Sequence, residues 1–410
     1  MTKETFLRTV TRDATAGALV AVLLVPQSMA YAMLAGAPPE LGLYAAALPV
    51  LAYAALGTSK HLSVGPVSIV SLLAFAGIGG LTGPESGPGS PLYTALLPAL
   101  SLLVGVLLLL SGVLRLGRWA DRIDRSVIHG FLSAAGLVIC MQQVGALTGV
   151  SLPREERFAA LLLPLFQGLG AAHPPTVAIG LLCLASLYAL QKALPIAIGP
   201  LAVLLVAAAV AKRFGFERIG VEIVGPVRAG WPELHWALPS VGTALDLLPT
   251  AAAIALIAYF ESYAVAAAIA DKAGYAVRAS RELTALGAAN AASALVGGVP
   301  VAGAMSRTAV SFASGARTKL AGAISAALAA ATILYATELL YYIPKAAMAA
   351  VIVYSVARLI DARSLVSRGE RSPRAYASLL IAFAATLAAG VFHGLLVGIA
   401  ASLALSLRKK

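Results

Sequence analysis

Two charged residues lie inside long apolar stretches of this sequence. Arg307 interrupts the apolar segment 301–314, and Glu261 lies near the middle of segment 246–270. In a lipid bilayer such a charge costs about 2.5–3.5 kcal/mol on insertion scales, so it is expected to face a cavity or a partner. Arg307 therefore indicates an anion site, and Glu261 a proton-coupling or cation site. The alternatives are an arginine whose stem reaches the membrane surface, and a structural ion pair between the two residues.

Two short apolar segments begin with a proline and small polar residues. Residues 63–71 read Ser-Val-Gly-Pro-Val-Ser-Ile-Val-Ser, and residues 297–308 repeat the Pro-Val step. Each runs for about 21 Å as a helix, less than the hydrocarbon core of about 30 Å. The pattern predicts two half-helices whose free N–H groups face each other inside the bilayer and bind an anion. The side chains expected at these ends are Val67, Ser68, Ser306 and Arg307.

Gln27 and Tyr31 are two further polar side chains within an apolar segment, 14–34. They are one helical turn apart and therefore share a face of the predicted helix. We expect both to line the anion cavity, Gln27 through its amide and Tyr31 through its ring. Ordinary packing between helices is the alternative.

The composition indicates a membrane protein. Of the 410 residues, 60% are hydrophobic and 12% are charged, against about 25% charged in soluble domains. The formal net charge is +12, but lysines and arginines stand in short groups between apolar runs, as in loops that face an anionic leaflet. No nucleic-acid partner is therefore expected. Scattered histidines, two cysteines in apolar runs and the lack of a phosphate loop predict no metal, no cofactor and no enzyme.

Fourteen apolar segments are predicted to be membrane helices, several of them short. Their ranges are 14–34, 41–56, 66–79, 92–114, 126–148, 174–191, 195–211, 246–270, 283–297, 301–314, 317–336, 342–356, 374–389 and 391–407. With the N-terminus in the cytoplasm, 22 of the 30 lysines and arginines fall on the cytoplasmic side and 7 on the other. This bias predicts a multi-pass inner-membrane protein with both termini in the cytoplasm.

The two halves of the chain share a spacing. Pro66 and Pro300 are 234 positions apart, and so are Gln27 and Glu261. The agreement predicts two repeats of seven segments, over about residues 1–211 and about residues 246–410. Because seven is odd, the second repeat enters the membrane from the opposite side, as in transporters with inverted-topology repeats. Chance is the alternative, since proline and glycine are common in membrane helices.

Short motifs at these positions form a recognisable set. They read Val25-Pro26-Gln27-Ser28-Met29-Ala30-Tyr31-Ala32, Gly42-Leu43-Tyr44, Gly57-Thr58-Ser59, Gly65-Pro66, Ser306-Arg307-Thr308 and Ser314-Gly315-Ala316-Arg317-Thr318. Together they resemble the sulfate permease family, also called SulP or solute carrier 26. The resemblance covers nearly the whole chain, and its first motif is the most specific.

The resemblance implies an all-α membrane protein with fourteen transmembrane segments in two inverted seven-segment repeats. Segments 1–4 and 8–11 would form a core domain, and segments 5–7 and 12–14 a gate domain. The core would move like an elevator against the gate, usually in a homodimer. Family members normally continue into a cytoplasmic STAS domain, whereas this sequence ends at Lys410. Residues 1–410 are therefore expected to be a transporter domain alone, from a short member or one that has lost its STAS domain. The implied anion site between half-helices 3 and 10 falls on Gln27, Tyr31, Val67, Ser68, Ser306 and Arg307.

These inferences favour secondary active transport of a small anion. A carboxylate at Glu261 would repel an entering dianion, and protonation would remove that repulsion, so a proton is expected in preference to sodium. Bacterial members of the family carry dicarboxylates, bicarbonate or sulfate, and we expect proton-coupled uptake of a dicarboxylate such as fumarate or succinate. Bicarbonate or sulfate transport, an anion channel and a nucleobase–proton symporter of the same architecture are the alternatives. Arg307 argues against the nucleobase.

Overall fold

The computed structural model describes residues 3–82, 87–118, 125–152, 157–193, 198–234, 238–357, 360–367, 369 and 372–407. Within these residues the chain folds into eighteen α-helices and one pair of short strands. The first half contains α1 (Lys3–Leu34), α2 (Pro39–Ala45), α3 (Leu48–Leu56), β1 (Val64–Gly65), α4 (Ser68–Gly79), α5 (Pro91–Val113), α6 (Arg125–Thr148), α7 (Phe158–Gly168), α8 (Pro174–Ala193) and α9 (Ile198–Phe214). The second half contains α10 (Val241–Ala273), α11 (Ala279–Leu295), β2 (Ala302–Gly303), α12 (Met305–Ala313), α13 (Leu320–Tyr335), α14 (Glu338–Tyr341), α15 (Lys345–Val356), α16 (Ala362–Val366), α17 (Pro373–Ala389) and α18 (Val391–Leu407).

Several of these helices are long and apolar enough to cross a bilayer. Six described segments meet that condition: Leu7–Leu34, Pro39–Leu56, Pro91–Val113, Ser126–Thr148, Pro174–Gln191 and Val241–Ala273. Each of the fourteen predicted apolar segments contains a helix, so the prediction of a helical fold is confirmed, with one pair of two-residue strands in addition. That all fourteen cross the membrane, as two inverted repeats, stays a prediction.

The structure departs from the predicted segments in several places, and the short helices α14 and α16 lie outside all of them. The segment 41–56 is broken between α2 and α3, because Pro49 lies in the first turn of α3 and has no N–H to continue the hydrogen bonds of α2. Helix α7 was not predicted, since its 11 residues are too few for a membrane span.

The chain divides into two compact units. Unit 1 comprises residues 1–118, 189–212 and 224–343. Within it α5 packs along α11 at close range: a Cβ added at Gly287 would lie 2.6 Å from the backbone nitrogen of Leu109. Such small residues allow two membrane helices to approach until their backbones touch.

Unit 2 comprises residues 119–188, 213–223 and 344–410. Its helix α6 packs against α15, α17 and α18, and α17 packs against α18. Glycine again permits the contact, because a Cβ added at Gly130 on α6 would lie 2.1 Å from the carbonyl oxygen of Leu379 on α17. The predicted cytoplasmic end at Arg408–Lys410 lies outside the described residues.

The two shortest predicted segments start side by side in unit 1. Strands β1 and β2 pair antiparallel, with Val64 opposite Gly303 and Gly65 opposite Ala302. Helix α4 begins at Ser68 and helix α12 at Met305, a few residues after these strands. With 12 and 9 residues, the two helices are about 18 and 14 Å long, so neither could cross a bilayer alone.

The contact between α5 and α11 gives a first test. The Gly287→Ala variant places a methyl group into the backbone of α5, and overpacking of this kind costs about 1–3 kcal/mol. We expect a fall of several degrees in the melting temperature of the purified protein in detergent, measured by thermal-shift fluorescence. Gly322→Ala is the matched control, because the nearest atom to its added Cβ is Ala54 Cβ at 3.9 Å. Equal melting temperatures for both variants would contradict the described packing.

Candidate functional site

The guanidinium of Arg307 lies at the junction of the two short helices. Arg307 is the third residue of α12 and is fully buried. Its Nη1 donates to Gln27 Oε1 on α1 at 3.1 Å and to the carbonyl oxygen of Pro66, just before α4, at 3.2 Å. Its Nε donates to Ser63 Oγ at 3.3 Å. The arginine is therefore held by three neutral oxygens, one from α1 and two from the residues that flank β1, and does not reach the surface.

One edge of this guanidinium keeps free hydrogen-bonding capacity. The Nη2 atom is buried and has no hydrogen-bond partner among the described residues. It lies against β1, where a Cβ added at Gly65 would come within 3.1 Å of it and 2.9 Å of Leu24 Cδ1. Gly65 also has a φ of 155°. Glycine is therefore required there if the guanidinium is to keep its place.

The starts of α4 and α12 have no polar side chain that caps them, a feature they share with α2, α3, α7, α11, α13 and α15. Val67 and Ala304 occupy the cap positions and make no side-chain hydrogen bond. By contrast, Ser90, Ser240 and Ser372 cap α5, α10 and α17 through their hydroxyls. The first N–H groups of α4 and α12 thus remain available, and each helix start carries about half a positive charge.

Glu261, on α10, and Tyr31, on α1, are two titratable side chains close to Arg307. Within the described part of the chain no carboxylate forms an ion pair with Arg307. The Glu261 Oε2 atom is itself buried without a hydrogen-bond partner among these residues. The ion-pair alternative is therefore not realised, and two buried groups of opposite charge each keep unused capacity.

The predicted site residues are brought together in unit 1. Gln27 contacts Arg307 directly, and Tyr31 lies one turn further along α1, also buried. Val67 and Ser68 begin α4 and are buried, whereas Ser306 in the first turn of α12 is partly exposed. Through its contacts with Gln27 and with Pro66, Arg307 joins α1 and the start of α4 to the start of α12. That these residues bind an anion stays a prediction.

Sequence reasoning missed the side chains that hold the extended backbone in front of α12. Asn290 Nδ2 donates to the carbonyl oxygen of Val301, and its Oδ1 accepts from the N–H of the same residue at 2.9 Å. Ser262 Oγ accepts from the N–H of Gly303 at 2.7 Å. These uncharged groups sit within apolar segments, and their polarity was the only signal that could have identified them.

The chain is similar to known proteins both in sequence and in structure. The profile of the Sulfate permease family matches residues 10–382. A protein of Mycobacterium tuberculosis described as "Probable sulfate transporter" is 36% identical over 399 residues, which cover 97% of this chain and 70% of that one. SLC26A9 superposes with a TM-score of 0.91 at 21% identity, over 98% of this chain and 66% of the other.

A bacterial structure agrees in fold. The transmembrane domain of a cyanobacterium bicarbonate transporter, BicA, superposes with a TM-score of 0.80 at 23% identity, over 97% of this chain and 98% of that domain. At such identities the superpositions show the fold alone, whereas the profile and the mycobacterial relative show the family. The chain therefore belongs to the sulfate permease family, the SulP and SLC26 anion transporters of membranes, and not to a family of enzymes.

Proposed function

We propose that this protein carries out secondary active transport of a small oxyanion, bound at Arg307 between the starts of α4 and α12. The observation that carries the proposal is the unused Nη2 of a fully buried guanidinium beside two helix starts that lack a side-chain cap. A guanidinium presents a planar set of donors that matches an oxyanion, and helix starts add N–H donors. Ser68 and Ser306 add hydroxyl groups at the same point. Gln27 orients the guanidinium from the other side.

Glu261 supports coupling to protons in this proposal. Its buried Oε2 would repel a dianion at Arg307 while ionised, and protonation would remove the repulsion. Anion and proton would then move in the same direction, and an inward proton gradient would drive uptake. Sodium at the same carboxylate is the alternative that the experiment below separates.

The identity of the transported anion is the most specific part of the proposal. The mycobacterial relative bears the description of a sulfate transporter, and BicA that of a bicarbonate transporter. Sulfate is therefore the first anion to test, because that relative is the more similar in sequence. The dicarboxylates fumarate and succinate, expected from the sequence, have two carboxylate groups and the charge of sulfate, so the same donors suit them.

The division of the chain into two units supports an elevator-like mechanism. Unit 1 holds the predicted segments 1–4 and 8–11, the proposed core, and unit 2 holds segments 5, 6 and 12–14 of the proposed gate. Segment 7, as α9, groups with unit 1 instead. The antiparallel pairing of β1 with β2 supports two inverted repeats. Along the sequence, the first residues of α4 and α12 are separated by three residues more than Pro66 and Pro300 are. A homodimer in the inner membrane, with cytoplasmic termini, completes the proposal.

Uptake into liposomes tests the anion site. Purified protein would be assayed with labelled sulfate, bicarbonate, fumarate and succinate, each with and without an inward proton gradient. The Arg307→Gln variant removes a charge whose hydrogen bonds are worth about 1.5–3 kcal/mol, so the apparent KM should rise about tenfold or more. The matched control is Arg228→Gln, which removes an exposed arginine paired with Glu233 at 3.7 Å. Wild-type protein that transports none of these anions, or an unchanged KM for Arg307→Gln, would refute the proposal.

The Glu261→Gln variant tests proton coupling. A neutral amide imitates the protonated carboxylate permanently, so anion uptake should persist by exchange but no longer respond to a proton gradient. Proton influx would be followed with an internal pH dye during uptake. Glu338→Gln, an exposed change at the first residue of α14, is the control. Proton influx that continues at the wild-type ratio, or stimulation by sodium in place of protons, would exclude this role of Glu261.

A further inference from the structure

Two buried carboxylates outside the candidate anion site are surrounded by hydrogen-bond donors. The side chains of Asp13 and Glu282 are both fully buried. No lysine or arginine of the described ranges forms an ion pair with either of them. Burial of a carboxylate costs free energy unless hydrogen-bond donors satisfy it. The donors around each carboxylate therefore show which segment of the chain it holds in place.

Glu282, in the first turn of α11, binds the loop that follows α3. Its Oε1 accepts from the N–H of Thr58 at 2.7 Å, from the Thr58 hydroxyl at 2.5 Å and from the N–H of Ser59 at 3.2 Å. Its Oε2 accepts from the hydroxyl of Tyr53 at 2.5 Å. All four donors belong to the first half of the chain, whereas Glu282 belongs to the second.

Asp13, on α1, makes the reciprocal contact. Its Oδ1 accepts from the N–H groups of Arg317 at 2.6 Å and Thr318 at 3.1 Å, and its Oδ2 accepts from the Thr318 hydroxyl at 2.5 Å. Arg317 and Thr318 follow α12 in the second half of the chain. Each half therefore supplies one carboxylate that holds a loop of the other half.

His61 joins these two loops to each other. Its Nε2 lies 3.0 Å from the carbonyl oxygen of Ala316, and its Nδ1 lies 3.0 Å from the Tyr275 hydroxyl. Because the carbonyl oxygen of Ala316 can only accept, Nε2 carries a proton, and burial lowers the pKa of the imidazole. The Tyr275 hydroxyl that Nδ1 contacts also lies 3.2 Å from Ser59 Oγ. The loops and both carboxylates thus form one connected network.

The two loops lead directly to the contacts of Arg307. From Thr58 the chain continues to Ser63, whose Oγ accepts from Arg307 Nε at 3.3 Å. Thr318 lies in the other loop, five residues after the last residue of α12, and Arg307 is the third residue of that helix. A displacement of either loop would therefore move one side of the contact that orients the guanidinium.

We propose that Glu282 and Asp13 are positioning residues for the anion site, which act through Ser63 and α12 and do not touch the anion. This inference rests on the proposed function of Arg307. Charge-assisted hydrogen bonds are roughly twice as strong as neutral ones, which is why a carboxylate at each position holds its loop more firmly than an amide.

The Glu282→Gln and Asp13→Asn variants test the inference in the liposome assay. Each keeps the size of the side chain but removes its charge. We expect the apparent KM for sulfate to rise about three- to tenfold, with a maximal rate per folded protein within about twofold of wild type. The amount of folded protein would be taken from the monodisperse peak in size-exclusion chromatography. A purely structural role predicts less folded protein, or a lower maximal rate, with an unchanged KM.

Matched variants separate positioning from damage to the fold. Glu222→Gln is the control, because Glu222 is exposed and pairs with Lys345 at the surface of unit 2. Thr58→Val is the milder alternative should Glu282→Gln fail to fold, since it removes one donor hydroxyl and keeps the carboxylate.

In the Glu282→Gln/Ser63→Ala double variant the KM should rise no further than in the worse single variant, because both changes act through one contact. Effects on KM that multiply would overturn the inference.

Hydrogen exchange of backbone amides supplies a readout that does not depend on transport. In Glu282→Gln, we expect faster exchange both at residues 58–63 and at residues 304–307, the start of α12. Faster exchange confined to residues 58–60 would overturn the inference even if transport were normal. If wild-type protein moved no anion, the proposed function would fail, whereas faster exchange at residues 304–307 would still support positioning of Arg307.

Discussion

The constraint around which unit 1 is organised is a buried arginine that pairs with no carboxylate of the described residues. The guanidinium of Arg307 needs neutral acceptors, and the fold supplies them from Gln27, Ser63 and the backbone of Pro66. It also needs room, which Gly65 provides by lacking a side chain. These three acceptors leave the Nη2 atom of Arg307 without a hydrogen bond. A buried donor of a charged group costs free energy when it is unpaired, unless a ligand accepts a hydrogen bond from it. The protein therefore holds a positive charge in a form that an anion can satisfy.

The same constraint explains why extended backbone is tolerated next to two half-helices. Peptide groups away from water must be hydrogen-bonded, and backbone in a membrane protein is non-helical only where the protein satisfies it. The segment before α12 meets this requirement through β1 and through side chains that bond its peptide groups one after another: Ser101 with Gly298, Ser293 with Val299, Asn290 with Val301 and Ser262 with Gly303. Satisfied in this way, the segment can end at a helix start that has no side-chain cap.

The charged residues inside apolar segments were predictable from the sequence, whereas the uncharged residues that form hydrogen bonds around them were not. Arg307 and Glu261 stand out because a charge inside an apolar run has few explanations, and the proline before each short segment predicted two half-helices. Ser63 carries no such signal, since serine is common in membrane helices. Glu282 and Asp13 lie at the ends of apolar runs, where acidic residues usually cap helices or face water, so their burial follows only from the long-range contacts of the fold. For the same reason, the sequence predicted a family and a site more readily than the network that orients it.

Anomalous scattering from selenate, which has the shape and charge of sulfate, would test the central claim most directly. A structure of the protein soaked with selenate should show one selenium peak between the starts of α4 and α12, with its oxygens within about 3 Å of Arg307 Nη2 and the first N–H groups of both helices. The peak should disappear in the Arg307→Gln variant. A selenium peak elsewhere in the protein, or an unoccupied junction at selenate concentrations that inhibit sulfate uptake, would contradict the account.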